Sequence, residues 1–424
     1  MKQRFVLFFV VPAFLIVLNI NAQQANWTHF RGSNLNGISE ATNPPVTWGI
    51  SNNIKWRTDL TGKGWSSPVV LGDQIWLTTA TEDGKNMKVV CLDFKTGRII
   101  HDILLFSPDS LESKHSINTY ATPTPCIEDG FVYIHFGTYG TACLKTADGK
   151  LAWKRTDLNC KHVQGPGSSP VLYKNLLILH LEGTDVQYLV ALDKRTGRTV
   201  WRIERPTKVY DPLTPIGKKA YITPLIVTVK GRDMLISNGS GICQAFDPKT
   251  GQEIWRIVQG IDSTIAMPIE ENGLVYFFPG FVDSPDGEKY TELIAVNPDG
   301  KGDIARTNVL WRLKTPVLQL LTPVIKNGLI YTVDTQNNLL CIEAKSGSVL
   351  YSQRMKAKHY SSPVGAAGRI YFTSAKGETT IIREGRKLVI EAVNQLPGEV
   401  FATPAILRNA ILLRTDKSLY CIGK

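Results

Sequence analysis

Apolar and polar residues alternate along this chain in short runs, and the runs come in sets of four. One set opens with Ser67-Pro68-Val69-Val70-Leu71, turns at Gly72-Asp73 and returns through the alternating stretch from Gln74 to Thr79. Period-two alternation bounded by such turn pairs predicts β-strands joined by tight hairpins. The turn pairs recur at Asp129-Gly130, Asn272-Gly273 and Asn327-Gly328. A third strand follows and leads into a repeated turn. Its fullest copies are Cys91-Leu92-Asp93-Phe94-Lys95-Thr96-Gly97, Ala191-Leu192-Asp193-Lys194-Arg195-Thr196-Gly197 and Ala245-Phe246-Asp247-Pro248-Lys249-Thr250-Gly251. The Asp and Thr side chains can bond backbone groups within the turn, and the glycine supplies a positive φ. Four residues later a fourth strand starts on an aromatic-basic pair: Trp153-Lys154, Trp201-Arg202 and Trp255-Arg256. Trp311-Arg312 comes after a longer turn, Tyr351 is a weaker copy, and His101 stands in the first set. A tryptophan at that edge is expected to pack against the next set, so six of the nine tryptophans, Trp56 and Trp76 included, read as fillers rather than a ligand cage.

Eight prolines mark the starts of the sets: Pro68, Pro125, Pro170, Pro224, Pro268, Pro323, Pro363 and Pro404, spaced 40 to 57 residues apart. Seven follow Ser or Thr, and Met267 precedes the eighth. Eight residues after the proline an apolar residue usually closes a strand, at Trp76, Tyr133, Ile178, Tyr276, Tyr331, Tyr371 and Leu412; Leu235 and Ile236 come later in the fourth set. That period is the length of a propeller blade. Proline lacks a ladder donor and suits an edge strand, here the innermost one beside the axial channel. The expected fold is therefore all-β, an eight-bladed β-propeller of four-stranded antiparallel blades. The last set ends after Leu419-Tyr420-Cys421-Ile422, one strand short, and Ile54-Lys55-Trp56-Arg57 carries the missing Trp-basic pair. The N-terminal strand is expected to close the ring, which pairs two edges that would otherwise stay open. Residues 54–424 form the expected propeller, and 23–53 an extended lead-in across one face.

The first 22 residues read as a secretory signal: Lys2 and Arg4, an apolar run from Phe5 to Leu18, then Asn21-Ala22 before Gln23. Pro12 and the short run argue against a membrane span, though a signal anchor is the alternative, and no cysteine follows the cleavage site to carry a lipid. No later stretch is apolar for long enough to cross a bilayer, so an exported periplasmic or extracellular protein is expected. Loss of Lys2 and Arg4 lowers the formal charge from +11 to +9. A basic exported surface suits an envelope protein or an anionic glycan. The basic residues are scattered rather than clustered, which argues against nucleic acid. Seven cysteines in an exported chain invite disulfides, but Cys91, Cys143, Cys341 and Cys421 share one blade position with Ala191, Ala245 and Ala295. A site that alternates Cys with Ala is a small buried apolar slot, so structural thiols are expected.

The run Ala-x-Asp-x-x-Thr-Gly-x-x-x-Trp at residues 191–201 and 245–255 resembles the docking motif of pyrroloquinoline-quinone (PQQ) propellers. Trp27-Thr28-His29-Phe30-Arg31-Gly32 and Gly64-Trp65-Ser66-Ser67-Pro68 resemble exported PQQ-binding-like β-propeller repeat proteins. That superfamily holds quinoprotein alcohol dehydrogenases and BamB-type outer-membrane assembly factors, and fold alone does not choose between them. The dehydrogenase branch implies a quinone beside an adjacent Cys-Cys pair, a calcium held by carboxylate and amide oxygens, and a catalytic Asp. No two cysteines here are adjacent. The BamB branch implies a non-catalytic propeller whose loops bind a partner, typically on a lipoprotein, and the lipobox cysteine is missing. Non-catalytic binding or scaffolding in the cell envelope without a cofactor is the expected function. The alternative is an enzyme, either a PQQ-and-calcium alcohol dehydrogenase or a carbohydrate-active propeller.

Three connections between blades are long: His101 to Pro125, Trp153 to Pro170 and Trp201 to Pro224. Insertions grouped on one face often mark the binding side of a repeat array, here a rim beside blades two to four. His115 and His162 lie in the first two insertions, and His135 and His180 sit late in second strands that run toward the same face. Asn118, Tyr120, Gln164, Lys208, Tyr210 and Asp211 complete the candidate rim, with donors and acceptors suited to a sugar or peptide. Metal ligation by the histidines, a polar pocket and plain structural roles all stay open; no close pair such as His-x-His favours the metal. The acidic stretch from Asp283 through Asp286 to Glu288 has the oxygen content of a calcium loop without its full spacing, and reads first as a solvated turn. Trp65, Tyr221, Tyr360 and Phe401 each stand three residues before a proline, either as a ring at the channel mouth or as packing where the blade starts. No phosphate loop, nucleophile elbow or zinc-protease helix is present.

Overall fold

The computed structural model describes residues 26–262, 264–283, 289–315 and 320–424. Eight sheets follow one another in chain order around an axis. Blade 1 is Val69–Leu71, Gln74–Ala80, Met87–Asp93 and Ile99–Phe106, each strand antiparallel to the next. Blades 2 to 7 repeat this plan. In blade 8, Ile54–Asp59 pairs with Ser418–Ile422, so the N-terminal strand does close the ring. Beyond the last strand Gly423 N–H donates to Asn53 O at 2.9 Å.

The strand register explains the recurring residues. Cys91 lies opposite Trp76 on one side and His101 on the other. Cys143 sits between Tyr133 and Trp153, Ala295 between Tyr276 and Trp311, and Cys341 between Tyr331 and Tyr351. A small residue in the third strand leaves room for two large ones to lean over it; Tyr276 and Trp311 have ring centroids 5.9 Å apart. Blade 7 inverts the sizes, with Ile381 in the third strand facing Ala392 in the fourth. Each row sets a small residue beside a large one, as close packing requires. All seven cysteines are free and buried, and burial pushes the Cys91, Cys143 and Cys421 thiols up to about 12.

Where the fourth strand carries a tryptophan, the indole N–H usually docks the blade on the next. The indole N–H of Trp153 donates to Lys194 O at 2.8 Å, that of Trp201 to Pro248 O at 3.2 Å and that of Trp311 to Ala344 O at 3.0 Å. The turn glycine of the receiving blade lies flat against the ring. A Cβ on Gly197 would come within 2.7 Å of Trp153, and its φ of +71° already disfavours a side chain.

A second belt runs round the channel at the residue before each proline. Ser67 N–H donates to Thr124 Oγ1, Thr124 N–H to Ser169 Oγ and Ser169 N–H to Thr223 Oγ1, at 2.9–3.0 Å. The series resumes from Met267 through Thr322 and Ser362 to Thr403. It breaks where Met267 has no hydroxyl, and again between blades 8 and 1.

Residues 26–53 cross the face that carries the tight turns. Trp27 exchanges backbone hydrogen bonds with Val70 in blade 1, Thr28 O accepts from Ile127 N–H in blade 2, and His29 Nε2 accepts from Leu172 N–H in blade 3. Arg31 is fully buried over blades 6 and 7 and donates to the carbonyls of Thr322, Pro323 and Pro363. Among the described residues no carboxylate bonds it, and burial pushes its pKa down to about 9. Carbonyl dipoles serve both terminal nitrogens of a guanidinium that is expensive to bury, while its Nε has no partner among the described residues. Ile38–Ser39 then adds a parallel strand to the inner edge of blade 7.

Candidate functional site

The three long connections stand on the face opposite residues 26–53, and they hold one another. Val163 N–H of the second insertion donates to Glu112 Oε2 of the first at 3.3 Å, and Ser113 Oγ donates to Val163 O at 3.1 Å. Asn118 Nδ2 donates to Gln164 O at 2.8 Å and Pro166 O at 3.2 Å. The third insertion joins through Tyr221, whose hydroxyl donates to His162 O at 2.9 Å and Gln164 Oε1 at 3.2 Å. The result is one continuous rim instead of three separate loops.

The ten residues expected there divide by burial. His115, Lys208 and Asp211 are exposed on the rim, and Asn118 and Gln164 are half-buried along its inner wall. The other five are internal. Tyr120 donates its hydroxyl to Glu112 O at 2.9 Å. His135 Nδ1 meets Thr141 Oγ1 at 2.9 Å, and burial pushes its pKa down to about 3. His162 is packed against Gly137 and is pushed down to about 4, again by burial. Held neutral, these rings act as packed polar groups. Among the described residues no group of three or more His, Cys, Asp or Glu is arranged to hold a metal. The acidic stretch 283–288 falls outside the described residues apart from the strand Val282–Asp283.

His180 and Tyr210 belong to a buried network that sequence reasoning missed. Glu182, fully buried, accepts from Arg205 Nε at 2.6 Å, Tyr210 Oη at 2.7 Å and Ser240 N–H at 3.0 Å. Arg205 also reaches Gln244 Oε1 and Ser237 Oγ, both at 2.7 Å, and Ser237 Oγ lies 3.0 Å from His180 Nδ1. Burial would raise the Glu182 carboxyl, but the charge of Arg205 and the hydrogen bonds around it hold its pKa below the ordinary value. The network pins the third insertion to blades 3 and 4.

Inside the rim the axial channel opens into a cavity of about 430 Å³. Phe30, from the segment crossing the opposite face, lines it, as do all seven belt residues. On one side three of the four aromatics that precede the prolines stack: Trp65 on Phe401 and Phe401 on Tyr360, each with centroids 4.5 Å apart. Tyr221 stands away from them, tied to the rim. The channel-mouth reading of these aromatics thus holds for the arc of three. Asn118, His115 and Gln164 line the cavity too. No Asp, Glu, Lys or Arg does so among the described residues. A quinone with several carboxylates needs cations, and calcium needs carboxylate oxygens. The donor set here does not fit that pair.

The family model described as outer membrane protein assembly factor BamB matches residues 46–156, 112–275 and 292–388. No curated protein matches the chain significantly. Among solved structures, BamB from Moraxella catarrhalis superposes with a TM-score of 0.62 at 12% identity, over 88% of this chain and 99% of that one. The computationally designed Ika8 protein gives 0.57 at 12% identity, over 86% and 98%. A europium-containing methanol dehydrogenase gives 0.45 at 12% identity, over 85% and 89%. At these identities the likeness is one of fold.

Proposed function

The chain belongs to the outer membrane protein assembly factor BamB family, and from that premise we propose that it is an exported, non-catalytic propeller that binds a protein of the cell envelope through its raised rim. The observation that carries this reading is the interlocked rim. Three insertions hydrogen-bonded to one another present His115, Lys208 and Asp211 on a surface that needs little ordering when a partner docks, which removes part of the entropic cost of association. Ile117 and Ile216 are exposed beside them, at 36% and 52%, and supply the apolar contacts that interfaces require. His135, His162 and His180 are buried and their pKa values are pushed down by burial, which suits packing roles beneath the rim. No helix among the described residues is long and apolar enough to cross a membrane. An anionic glycan is the second class of partner the basic surface suits.

Site-specific photo-crosslinking in the native host tests the proposal. A crosslinker at Lys208 or His115 should trap the same envelope protein, while one at Ile50, 73% exposed and in the segment crossing the opposite face, should not. Equal trapping from both faces, or none from the rim, refutes it. Sequencing the purified protein's N-terminus tests export, with Gln23 as the expected first residue.

A further inference from the structure

The belt of hydroxyls is a structural device with an unused half. Six of its seven Ser and Thr oxygens accept a backbone N–H from the blade before, so their own protons are left to donate elsewhere. All seven residues line the axial cavity. Ser67 goes further: its side chain is 1% exposed, and its Oγ has no hydrogen-bond partner among the described residues. A buried hydroxyl is seldom left unpaired, and the exceptions call for an explanation. Ser67 lies at the second break of the belt, between blades 8 and 1, next to the stacked arc of Trp65, Phe401 and Tyr360.

We propose that this cavity is a binding site for a neutral saccharide of one or two rings. Its walls match that chemistry in three respects. The stacked aromatic arc supplies an apolar wall for the C–H groups of a sugar. The belt hydroxyls, with the carboxamide of Gln164, supply both donors and acceptors for sugar hydroxyls. The absence of Asp, Glu, Lys and Arg from the lining, among the described residues, selects against charged ligands, since a charge taken from water without a partner is heavily penalised. The volume falls within the ~300–1,000 Å³ of small-ligand sites. Phe30 lines one end, so the ligand enters from the rim. The cavity would take such a ligand whether or not the rim binds a protein.

The test is titration of the full-length mature protein with maltose, cellobiose, trehalose and glucuronate, read by tryptophan fluorescence and by saturation-transfer NMR. At least one neutral disaccharide should bind saturably, and glucuronate should bind more weakly or not at all. Ser67→Ala removes a hydroxyl that bonds nothing in the protein, so its melting temperature should hold while affinity falls about three- to tenfold. Phe401→Ala should weaken binding further; if it destabilises the fold, Ser67→Ala alone decides. No saturable neutral sugar, preference for glucuronate, or full affinity in Ser67→Ala would each overturn the assignment.

Discussion

The indole N–H of Trp56 donates to the carbonyl of Phe94 at 3.0 Å, and that bond joins the two ends of the propeller. Trp56 comes from the N-terminal strand that completes blade 8, and Phe94 from the docking turn of blade 1. The Trp56 ring also lies against Gly97, where an added Cβ would come within 2.5 Å. Trp56→Ala should cost about 3–5 kcal/mol, the usual range for emptying a large buried aromatic site. Chemical denaturation should show a lower midpoint, and hydrogen exchange should place the first loss of protection in residues 54–59 and 418–422.

Thr124 separates the structural half of the belt from the half assigned to ligand. Its oxygen takes the Ser67 N–H at 2.9 Å, and both residues are buried. Thr124→Val keeps the shape and strands that donor, at a cost of about 1–3 kcal/mol. Ser67→Ala, 57 positions earlier in sequence but in direct contact, should be close to neutral. Thermal unfolding of the two variants side by side checks the contrast.

The Glu182–Arg205 pair should respond asymmetrically. Arg205→Met leaves a fully buried carboxylate without its cation, and losses of about 3–5 kcal/mol are typical of such a break. Tyr210→Phe removes one hydrogen bond to the same carboxylate and should cost about 1.5–3 kcal/mol. Limited proteolysis should cut Arg205→Met first between residues 205 and 224, because the network is what fastens that insertion.

Acid should weaken the fold well above the range where most carboxylates titrate. His135 is pushed down to about 3, and His162 and His180 to about 4, in each case chiefly by burial. In the unfolded chain all three return to about 6.5. Above that pH both states are neutral and the histidines contribute no pH dependence. Below it only the unfolded state takes up protons, so stability falls steadily from pH 6.5 toward 4. The melting temperature should drop between pH 7 and 5, and His135→Gln should make that drop shallower.

Much of this architecture could be read from the chain because a repeat displays one position many times. The Cys/Ala slot, the Trp-basic pair and the Ser/Thr-Pro step each recur, and each has a contact in the structure that accounts for it. Blade 7 shows the limit: Ile381 and Ala392 exchange sizes, so matching one column at a time loses them. The rim was legible as three long connections, but the burial of its side chains was not. Tyr210 finds Glu182 across 28 residues and Arg205 finds it across 23, within an insertion that has no periodicity to betray an inside. Arg31 is harder still. It is a lone basic residue in an aperiodic stretch, and its carbonyl acceptors at Thr322 and Pro363 lie 291 and 332 positions away. The role of the belt hydroxyls was visible only as a composition preference, since a Ser or Thr before proline shows nothing of which neighbour its oxygen serves.

The course of residues 26–53 also gives the molecule a direction in space. Asn26 accepts from Gly72 N–H on the tight-turn side, away from the rim. Any tether attached ahead of it therefore leaves from that side. A partner that grips the chain ahead of Asn26 and one that docks on the rim would approach from opposite sides.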